Sequence, residues 1–362
     1  MKIADSHIHC RFSRYDEICN MLDSISEVGV TDACLLTLPY RGVVENLSAL
    51  YVKQKYRKLG IRVVGGLHVS DRYAAIPAEI QAETLLDMGC DGFKLMFSPD
   101  LTKYYGRSIN DPYYDKMFTL FEERGTPINI HLADPEDFWG EGKTYDSSFP
   151  TYEQLFADTF DMLDRHPRLR VTFAHFMFLS NQPKEAERVM EKYPNVNFDI
   201  TPGIEMYYNF DKNLDFWIDF FKRYSHRILF GTDCNTIKKN TNQNLEMLVY
   251  RKLTEKKAPF TQICYKRDFT VYGFDLDSKT VEDICYNNYF RFIGNEPVPV
   301  NRALFMSACK RVLDDLNDNS VDEYYIRGGE LIPDLKKDPE QTIARDFLST
   351  VFADAEFRYY FL

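Results

Sequence analysis

The sequence predicts an α/β fold, a (β/α)₈ or TIM barrel that carries a helical C-terminal extension. Short runs rich in β-branched and apolar residues alternate strictly with amphipathic stretches of helical period, and eight such units follow one another. Strict alternation of strand and helix is typical of a parallel sheet, and eight units are the number that closes this barrel.

The eight predicted strands are separated by helical patterns. In chain order the strands are IADSHIHC, DACLLTLP, RVVGGLHV, GFKLMF, PINIHLAD, RVTFAHFMF, VNFDITPG and RILFGTDC. The amphipathic stretches between them include DEICNMLDSISEVG, YEQLFADTFDMLDRHP and LDFWIDFFKRYS. Several of these end at glycine or just before proline, as helices do. We therefore expect residues 1–295 to form the barrel.

The alternation stops after Gly294, where NEPVPV introduces two prolines. Residues 296–362 then contain two further helical patterns, RALFMSACKRVLDDL and PEQTIARDFLSTVFADAEFRYYFL. We expect this extension to be helical and to pack on the outside of the barrel or to serve a subunit contact. A homo-oligomer is therefore one possible assembly.

Composition limits the classes of partner. The chain has 362 residues, 44% of them hydrophobic, and a formal net charge of −11. This charge disfavours nucleic acid and anionic membrane surfaces, and no apolar run reaches the length of a membrane span. We therefore expect a small-molecule substrate, with no nucleic-acid or membrane partner.

The cysteines and the N-terminus indicate the compartment. The eight cysteines form no C-x-x-C pair, and no basic and apolar signal pattern precedes KIADSHIH. Such spacing favours free thiols over a disulfide framework or a zinc site built from paired cysteines. A cytoplasmic protein is expected.

The motif DSHIH near the N-terminus is the first sign of chemistry. Residues two apart in a strand point to the same face, so His7 and His9 project together. Two adjacent imidazoles make a poor packing surface and a good pair of metal ligands. A chance His-x-His on a solvated strand is the alternative.

Other polar side chains fall at the ends of predicted strands. Of the seven histidines, five lie there: His7, His9, His68, His131 and His175. The carboxyl ends of the strands form the active-site face of such barrels. Asp233, in FGTDC, follows the eighth strand, which adjoins the first in a closed ring. An aspartate in that position is otherwise a turn or helix-cap residue.

Five motifs, taken together and in this order, resemble those of the amidohydrolase superfamily. They are DSHIH, GFKLMF, INIHLAD, TFAHF and LFGTDC. The similarity is to its amidohydrolase-related group, which includes aminocarboxymuconate semialdehyde decarboxylase and other ring-acid decarboxylases and hydrolases. It covers about residues 1–295. The set of motifs is specific for the superfamily and not for a reaction.

The resemblance implies a mononuclear divalent metal site, with zinc as the expected ion. Its protein ligands would be His7, His9, His131 and Asp233, and His175 would be the catalytic histidine. Three histidines and one carboxylate with room for water also match a catalytic metal site on chemical grounds. The metal would activate water, with His175 or Asp233 handling the proton.

One departure from the family pattern concerns the strand-6 motif. Relatives often have small residues after the catalytic histidine, whereas here Phe176, Met177 and Phe178 follow it. We therefore expect a bulky rim at this point of the site.

Four further residues are candidate substrate contacts: Lys94, His68, Trp139 and Glu205. Lys94 could be a carboxylated bridge between two metal ions, a free amine that pairs with a substrate carboxylate, or a buried structural residue. His68 could equally be a core histidine. Trp139 lies in the long loop after the fifth strand and could line the site or anchor the loop.

These patterns favour a metal-dependent hydrolase acting on a small-molecule C–N or C–O bond, such as an amide or a lactone. The nearest alternative is a non-oxidative decarboxylase of a ring carboxylic acid on the same metal site. An alternative of another class is a catalytically degenerate protein that keeps the fold and binds a small molecule.

Overall fold

The computed structural model describes residues 2–10, 15–38, 43–67, 69, 76–236, 239–264, 266–317, 325–327, 330–332 and 339–358. Nine parallel strands form one sheet in the order β8-β7-β6-β5-β4-β3-β2-β1-β9. Their bounds are β1 (Ile3–His9), β2 (Val30–Leu36), β3 (Gly60–Gly66), β4 (Gly92–Met96), β5 (Pro127–His131), β6 (Arg170–Phe173), β7 (Val196–Asp199), β8 (Ile228–Leu229) and β9 (Cys234–Asn235).

The sheet closes on itself between its last two strands and β1. β8 pairs with β7, while β9 pairs with β1 through Ile8–Cys234 and His9–Asn235. Between them, the Ser6 N–H donates to the Phe230 carbonyl at 3.0 Å. Residues 228–235 thus serve as one interrupted eighth strand, and the predicted (β/α)₈ barrel is confirmed.

Helices surround the ring. They are α1 (Tyr15–Ser26), α2 (Val43–Lys55), α3 (Ala78–Met88), α4 (Pro99–Tyr105), α5 (Asp115–Arg124), α6 (Tyr152–Arg165), α7 (Pro183–Lys192), α8 (Ile204–Lys212), α9 (Leu214–Arg223), α10 (Lys239–Thr254), α11 (Ser278–Glu282) and α12 (Asn288–Ile293). Every residue of β1 is buried, as expected for a parallel strand with side chains of the barrel interior on one face and helices on the other.

Local signals in the sequence explain where particular helices begin and end. The Thr151 hydroxyl accepts a hydrogen bond from the Gln154 N–H at 3.2 Å and caps α6. α3 ends at Gly89, whose φ of 119° is left-handed. A Cβ at Gly89 would lie 2.8 Å from the Pro299 carbonyl oxygen. Glycine at this position therefore allows the segment after the barrel to cross close to the end of α3.

A hairpin and a C-terminal extension complete the described chain. The hairpin strands β10 (Pro259–Cys264) and β11 (Arg267–Tyr272) lie between α10 and α11. The extension comprises α13 (Arg302–Asn317), β12 (Tyr325–Arg327), β13 (Glu330–Ile332), α14 (Pro339–Ala353) and α15 (Ala355–Arg358). Neither hairpin was predicted from the sequence.

The extension contacts the barrel layer at Tyr51 of α2. The Tyr51 ring lies 5.9 Å from that of Phe347 and 5.5 Å from that of Phe357. Its hydroxyl donates to Asp354 at 2.7 Å. The extension therefore packs on the outer surface of α2.

Two further features concern the whole set of described residues. None of the helices placed by the structure has both the length and the apolar character needed to cross a bilayer. The eight cysteines all lie within the described ranges, and all are free thiols.

Candidate functional site

Three side chains meet at the carboxyl end of β1. The Nε2 atoms of His7 and His9 lie 3.2 Å apart, and Asp233 Oδ1 lies 3.2 Å from His9 Nε2 and 3.9 Å from His7 Nε2. All three donor atoms fall within 4.8 Å of one another, a spacing that could hold a metal ion. We call these residues the metal cluster.

Hydrogen bonds determine which ring nitrogen of His7 and of His9 carries the proton. His7 Nδ1 lies 2.8 Å from Asp199 Oδ2, and His9 Nδ1 lies 2.9 Å from the Leu36 carbonyl. An ionised carboxylate and a carbonyl only accept, so each Nδ1 carries the proton and each Nε2 presents a lone pair. Two lone pairs 3.2 Å apart repel one another unless a cation lies between them. The donor set therefore fits a metal ion.

The charge states agree with this fit. Burial, reinforced by Lys94, lowers the pKa of His7 to about 3, although Asp199 acts in the opposite direction. Burial alone would raise the pKa of Asp233, but His9, His7 and His175 hold it well below its usual range. A neutral His7 and an ionised Asp233 are in the forms that ligate a divalent ion.

His131, the last residue of β5, lies beside the metal cluster and outside the group of three. Its Nε2 is 3.9 Å from Asp134 Oδ1, and its ring is 5.1 Å from that of His175. Burial lowers the pKa of His131 well below its usual value, and His175 and Lys94 lower it further. His131 is therefore neutral, and its ring lies against that of His175.

His175 lies beyond the end of β6, on a left-handed turn. His175, Phe176, Met177 and Phe178 have φ values of 52°, 57°, 55° and 57°. The prediction of a strand running through RVTFAHFMF is therefore wrong after Phe173. The His175 ring lies 5.6 Å from that of His7, and its Nδ1 is 3.2 Å from the Thr201 carbonyl.

Packing of Phe176 holds this turn. Left-handed backbone costs about 1–2 kcal/mol for each residue with a Cβ. The Phe176 ring offsets part of this cost by lying 4.8 Å from Phe198, 5.0 Å from Phe210 and 5.4 Å from Trp217. We call these rings the aromatic clamp. It holds the segment that presents His175.

The expected bulky rim is correct for only one of its three residues. Phe176 and Met177 have no exposed surface, because the turn directs them into the core. Phe178 alone borders the histidines, with its ring 5.2 Å from His131 and 5.4 Å from His175.

Asp199, at the end of β7, connects the two parts of the site. Its Oδ2 accepts from His7 Nδ1 at 2.8 Å and from Asn129 Nδ2 at 3.2 Å. Its Oδ1 accepts the backbone N–H of His175 at 2.9 Å. Burial would raise the pKa of Asp199, but His7, His175 and Lys94 hold it well below its usual range.

Asp199 was not predicted from the sequence as a site residue. An aspartate that ends an apolar predicted strand was the signal that identified Asp233, and VNFDITPG carries the same signal. The role of Asp199 follows only from its distance to His7, which lies far away in the chain.

Lys94 lies inside β4 with 1% of its surface exposed. Its Nζ donates to Asn129 Oδ1 at 2.5 Å. Lys94, Asn129, Asp199 and His7 thus form one hydrogen-bonded chain within the barrel. This position places a buried amine close to the negative charge of Asp199.

The other candidate substrate contacts have different surroundings. The Trp139 indole donates to the Pro150 carbonyl at 2.8 Å, and its ring lies 4.8 Å from Tyr145, which are the contacts of a loop anchor. Glu205 lies in the first turn of α8 and folds back over Gly203. His68 lies outside the described residues.

Asp134, three residues after His131, is a second carboxylate near the site that was not predicted from the sequence. The Tyr145 hydroxyl donates to it, so the loop after β5 is tied back to the end of its own strand. Burial raises the pKa of Asp134 to about 6, with Tyr145 and His175 acting in the opposite direction. The spacing of HLAD was the available signal.

Comparison with solved structures agrees with the fold. An uncharacterised TIM-barrel protein from Bordetella bronchiseptica aligns with a TM-score of 0.54 and 16% identity over 81% of this chain and 98% of its own. A Staphylococcus aureus protein assigned as an amidohydrolase aligns with a TM-score of 0.53 and 15% identity over 82% of this chain and 100% of its own. At these identities the similarity shows the fold alone.

Comparison of sequences identifies the family. No curated protein matches the chain significantly. The profile described as Amidohydrolase, however, matches residues 45–292, more than half of the chain. The chain therefore belongs to the amidohydrolase family.

Proposed function

We propose that the protein is a hydrolase that uses one divalent metal ion, expected to be zinc, to cleave a C–N or C–O bond in a small molecule such as an amide or a lactone. The observation that carries this proposal is the metal cluster, in which two imidazole lone pairs and an ionised carboxylate converge. Membership of the amidohydrolase family supports a metal-dependent hydrolase-type activity.

His7, His9 and Asp233 would hold the ion, and we assign His131, on the neighbouring strand end, as the fourth ligand. When bound, a divalent ion supplies Lewis acidity that polarises a carbonyl oxygen and lowers the pKa of water to about 7. The residues around it must then orient the substrate and move protons.

His175 is proposed as the acid–base residue. Its Nδ1 lies 3.2 Å from the Thr201 carbonyl, which only accepts. Nδ1 therefore carries a proton, and Nε2 is the atom that can accept a proton from the attacking water. It can return this proton to the leaving nitrogen or oxygen. Asp233, which is ionised, offers a second acceptor within the cluster.

Two further side chains, Phe178 and Lys94, have supporting roles in the proposed mechanism. The Phe178 ring forms an apolar wall beside His131 and His175, which limits access of bulk water. The Lys94 ammonium lies close enough to lower the pKa of Asp199. It thereby helps to keep Asp199 ionised and able to accept the proton of His7 Nδ1.

Metal analysis combined with a substrate panel tests the proposal. Protein purified without chelator should contain a divalent ion, lose activity with chelator and regain it with zinc. Amides and lactones should release acid without carbon dioxide. Stoichiometric carbon dioxide release from ring carboxylic acids, with no hydrolysis, would instead establish a decarboxylase. Absence of metal both before and after zinc addition would favour a degenerate binding protein.

A further inference from the structure

A groove of about 350 Å³ opens beside the histidines, between the loop after β5, the left-handed turn and α8. Its walls include Glu136, Asp137, Phe178, Glu205 and Tyr208. The groove is separate from the metal cluster, since none of the three cluster residues lines it.

Phe178 joins the groove to the proposed site of reaction. The ring that lines the groove also lies 5.2 Å from His131 and 5.4 Å from His175. Glu205 is close enough to His175 for the histidine to lower its pKa. A substrate whose reacting bond lies at the histidines can therefore extend past Phe178 into the groove.

Carboxylates outnumber cations among the residues that line the groove. Glu136 Oε2 already accepts from the amides of Asn181 at 2.8 Å and Gln182 at 3.1 Å. The Lys212 ammonium donates to Asn209 Oδ1 at 2.8 Å, and thus to a neutral amide. Three carboxylates and one ammonium line the groove.

Glu205 is the least exposed of the three carboxylates that line the groove. It is partly buried, and burial raises its pKa. Its carboxylate lies over the backbone of Gly203, where a Cβ would clash with both carboxylate oxygens. The absence of a side chain at Gly203 therefore lets Glu205 lie at the groove wall.

We propose that this groove is a substrate subsite that binds a hydrogen-bond-donating group, an ammonium or a hydroxyl, and disfavours a carboxylate. The inference rests on the proposed function, because it takes the histidines as the place of reaction. It narrows the substrate class to amides or lactones that carry such a donor on the part distant from the reacting bond.

The subsite can be tested with three acetanilides that carry an aminomethyl, a hydroxymethyl or a carboxyl group at the para position. Binding to the zinc-loaded protein is measured by titration calorimetry, and hydrolysis by release of the aniline. We expect the aminomethyl compound to bind roughly tenfold more tightly than the carboxyl compound, since a charge-assisted hydrogen bond to a partly buried carboxylate is replaced by like-charge repulsion.

Glu205→Gln should remove most of this preference, and Asp137→Asn part of it. Glu141→Gln is the matched control, because Glu141 is an exposed carboxylate of the same loop that does not line the groove. It should leave the preference unchanged. Asp137 is exposed, so its variant keeps the test valid if Glu205→Gln does not fold.

The outcomes separate the subsite from the reaction. The expected order of binding without hydrolysis supports the subsite and counts against the proposed function. Hydrolysis with no preference among the three compounds supports the function and overturns the subsite. Tighter binding of the carboxyl compound, equal effects of Glu205→Gln and Glu141→Gln, or binding of none of the compounds would also overturn it.

Discussion

The two halves of the site are held in place by different means. At β1, His7 and His9 are fixed by hydrogen bonds from Nδ1, at 2.8 Å to Asp199 and 2.9 Å to the Leu36 carbonyl. After β6, His175 is placed by a left-handed backbone and by the aromatic clamp around Phe176. In the first half, hydrogen bonds fix the direction of the imidazole lone pairs. In the second half, the backbone conformation fixes the position of the histidine.

This difference matches what each half is proposed to do. Metal ligands need a fixed tautomer and ring orientation, which hydrogen bonds to Nδ1 supply. An acid–base residue must reach the reacting atoms, and a sharp turn after a strand projects its side chain over the barrel mouth. Asp199 accepts hydrogen bonds from both halves, so it fixes the position of His7 relative to that of His175.

The largest expected effect comes from removing the chemistry of the second half alone. His175→Ala should lower kcat/KM on a confirmed substrate by about 10²–10⁴-fold, the usual effect of a positioned acid–base group. Steady-state kinetics on the purified variant measures this. Full turnover in His175→Ala would move the acid–base role to Asp233 or to the substrate.

Removing the aromatic clamp should have the next largest effect. Phe176→Ala should lower the free energy of unfolding by about 3–5 kcal/mol, because it deletes a buried ring that offsets the strain of the turn. Urea denaturation measures this loss. Phe160→Ala, a partly buried ring outside the clamp, is the control and should cost less. Equal losses for the two variants would show that the clamp has no special role.

The first half could be predicted from local pattern, and the second half only in part. The spacing of His7 and His9, and the aspartate after an apolar run at Asp233, depend on the period of a strand and the closure of the ring. The strand period acts over a few residues, and closure of the ring follows from the count of eight strand–helix units. The positions of His131 at the end of β5 and of His175 just after β6 were predicted in the same way.

The left-handed turn had no such signal. Residues 174–178 contain no glycine or asparagine, the residues that usually adopt positive φ. The turn depends instead on contacts with Phe198, Phe210 and Trp217, which lie later in the chain. The role of Asp199 could not be predicted from the sequence either, because it depends on which strand ends lie close together in the folded barrel.

Asp199→Asn sharpens the comparison, because it acts on both halves. An amide at this position weakens the acceptor that fixes the proton on His7 Nδ1. We expect zinc affinity to fall by about 10–100-fold, as is usual when the hydrogen-bond partner of a metal ligand is changed. Competition with a chromophoric chelator measures this. Asp277→Asn, at the cap of α11, is the control and should bind zinc like the native protein.

The last expected effect concerns the support beneath the first half. Asp5 accepts the His7 N–H at 2.8 Å and the Thr232 hydroxyl at 2.5 Å. Glu246 lies beside it, fully buried, and burial together with Asp5 raises the pKa of Glu246 well above its usual value. The folded protein therefore keeps a proton on Glu246 at pH values where the unfolded chain has lost it.

Stability should consequently fall as pH rises above the unfolded pKa near 4.5. Glu246→Gln removes this titrating carboxyl group. Its free energy of unfolding should therefore exceed that of the native protein by up to about 1.4 kcal/mol for each pH unit above that value. Urea denaturation at two pH values measures the gain. The exposed Glu282→Gln is the control. A gain that does not change with pH would show that Glu246 is ionised in the folded protein.

Zinc titration of the metal-stripped native protein, His7→Ala and His175→Ala tests the central claim most directly. Because the first half is proposed to hold the metal, the native protein and His175→Ala should each bind one equivalent with closely similar affinity. His7→Ala should bind at least roughly 100-fold more weakly. If His175→Ala loses zinc as completely as His7→Ala does, the two halves do not divide ligation from chemistry, and His175 is itself a ligand.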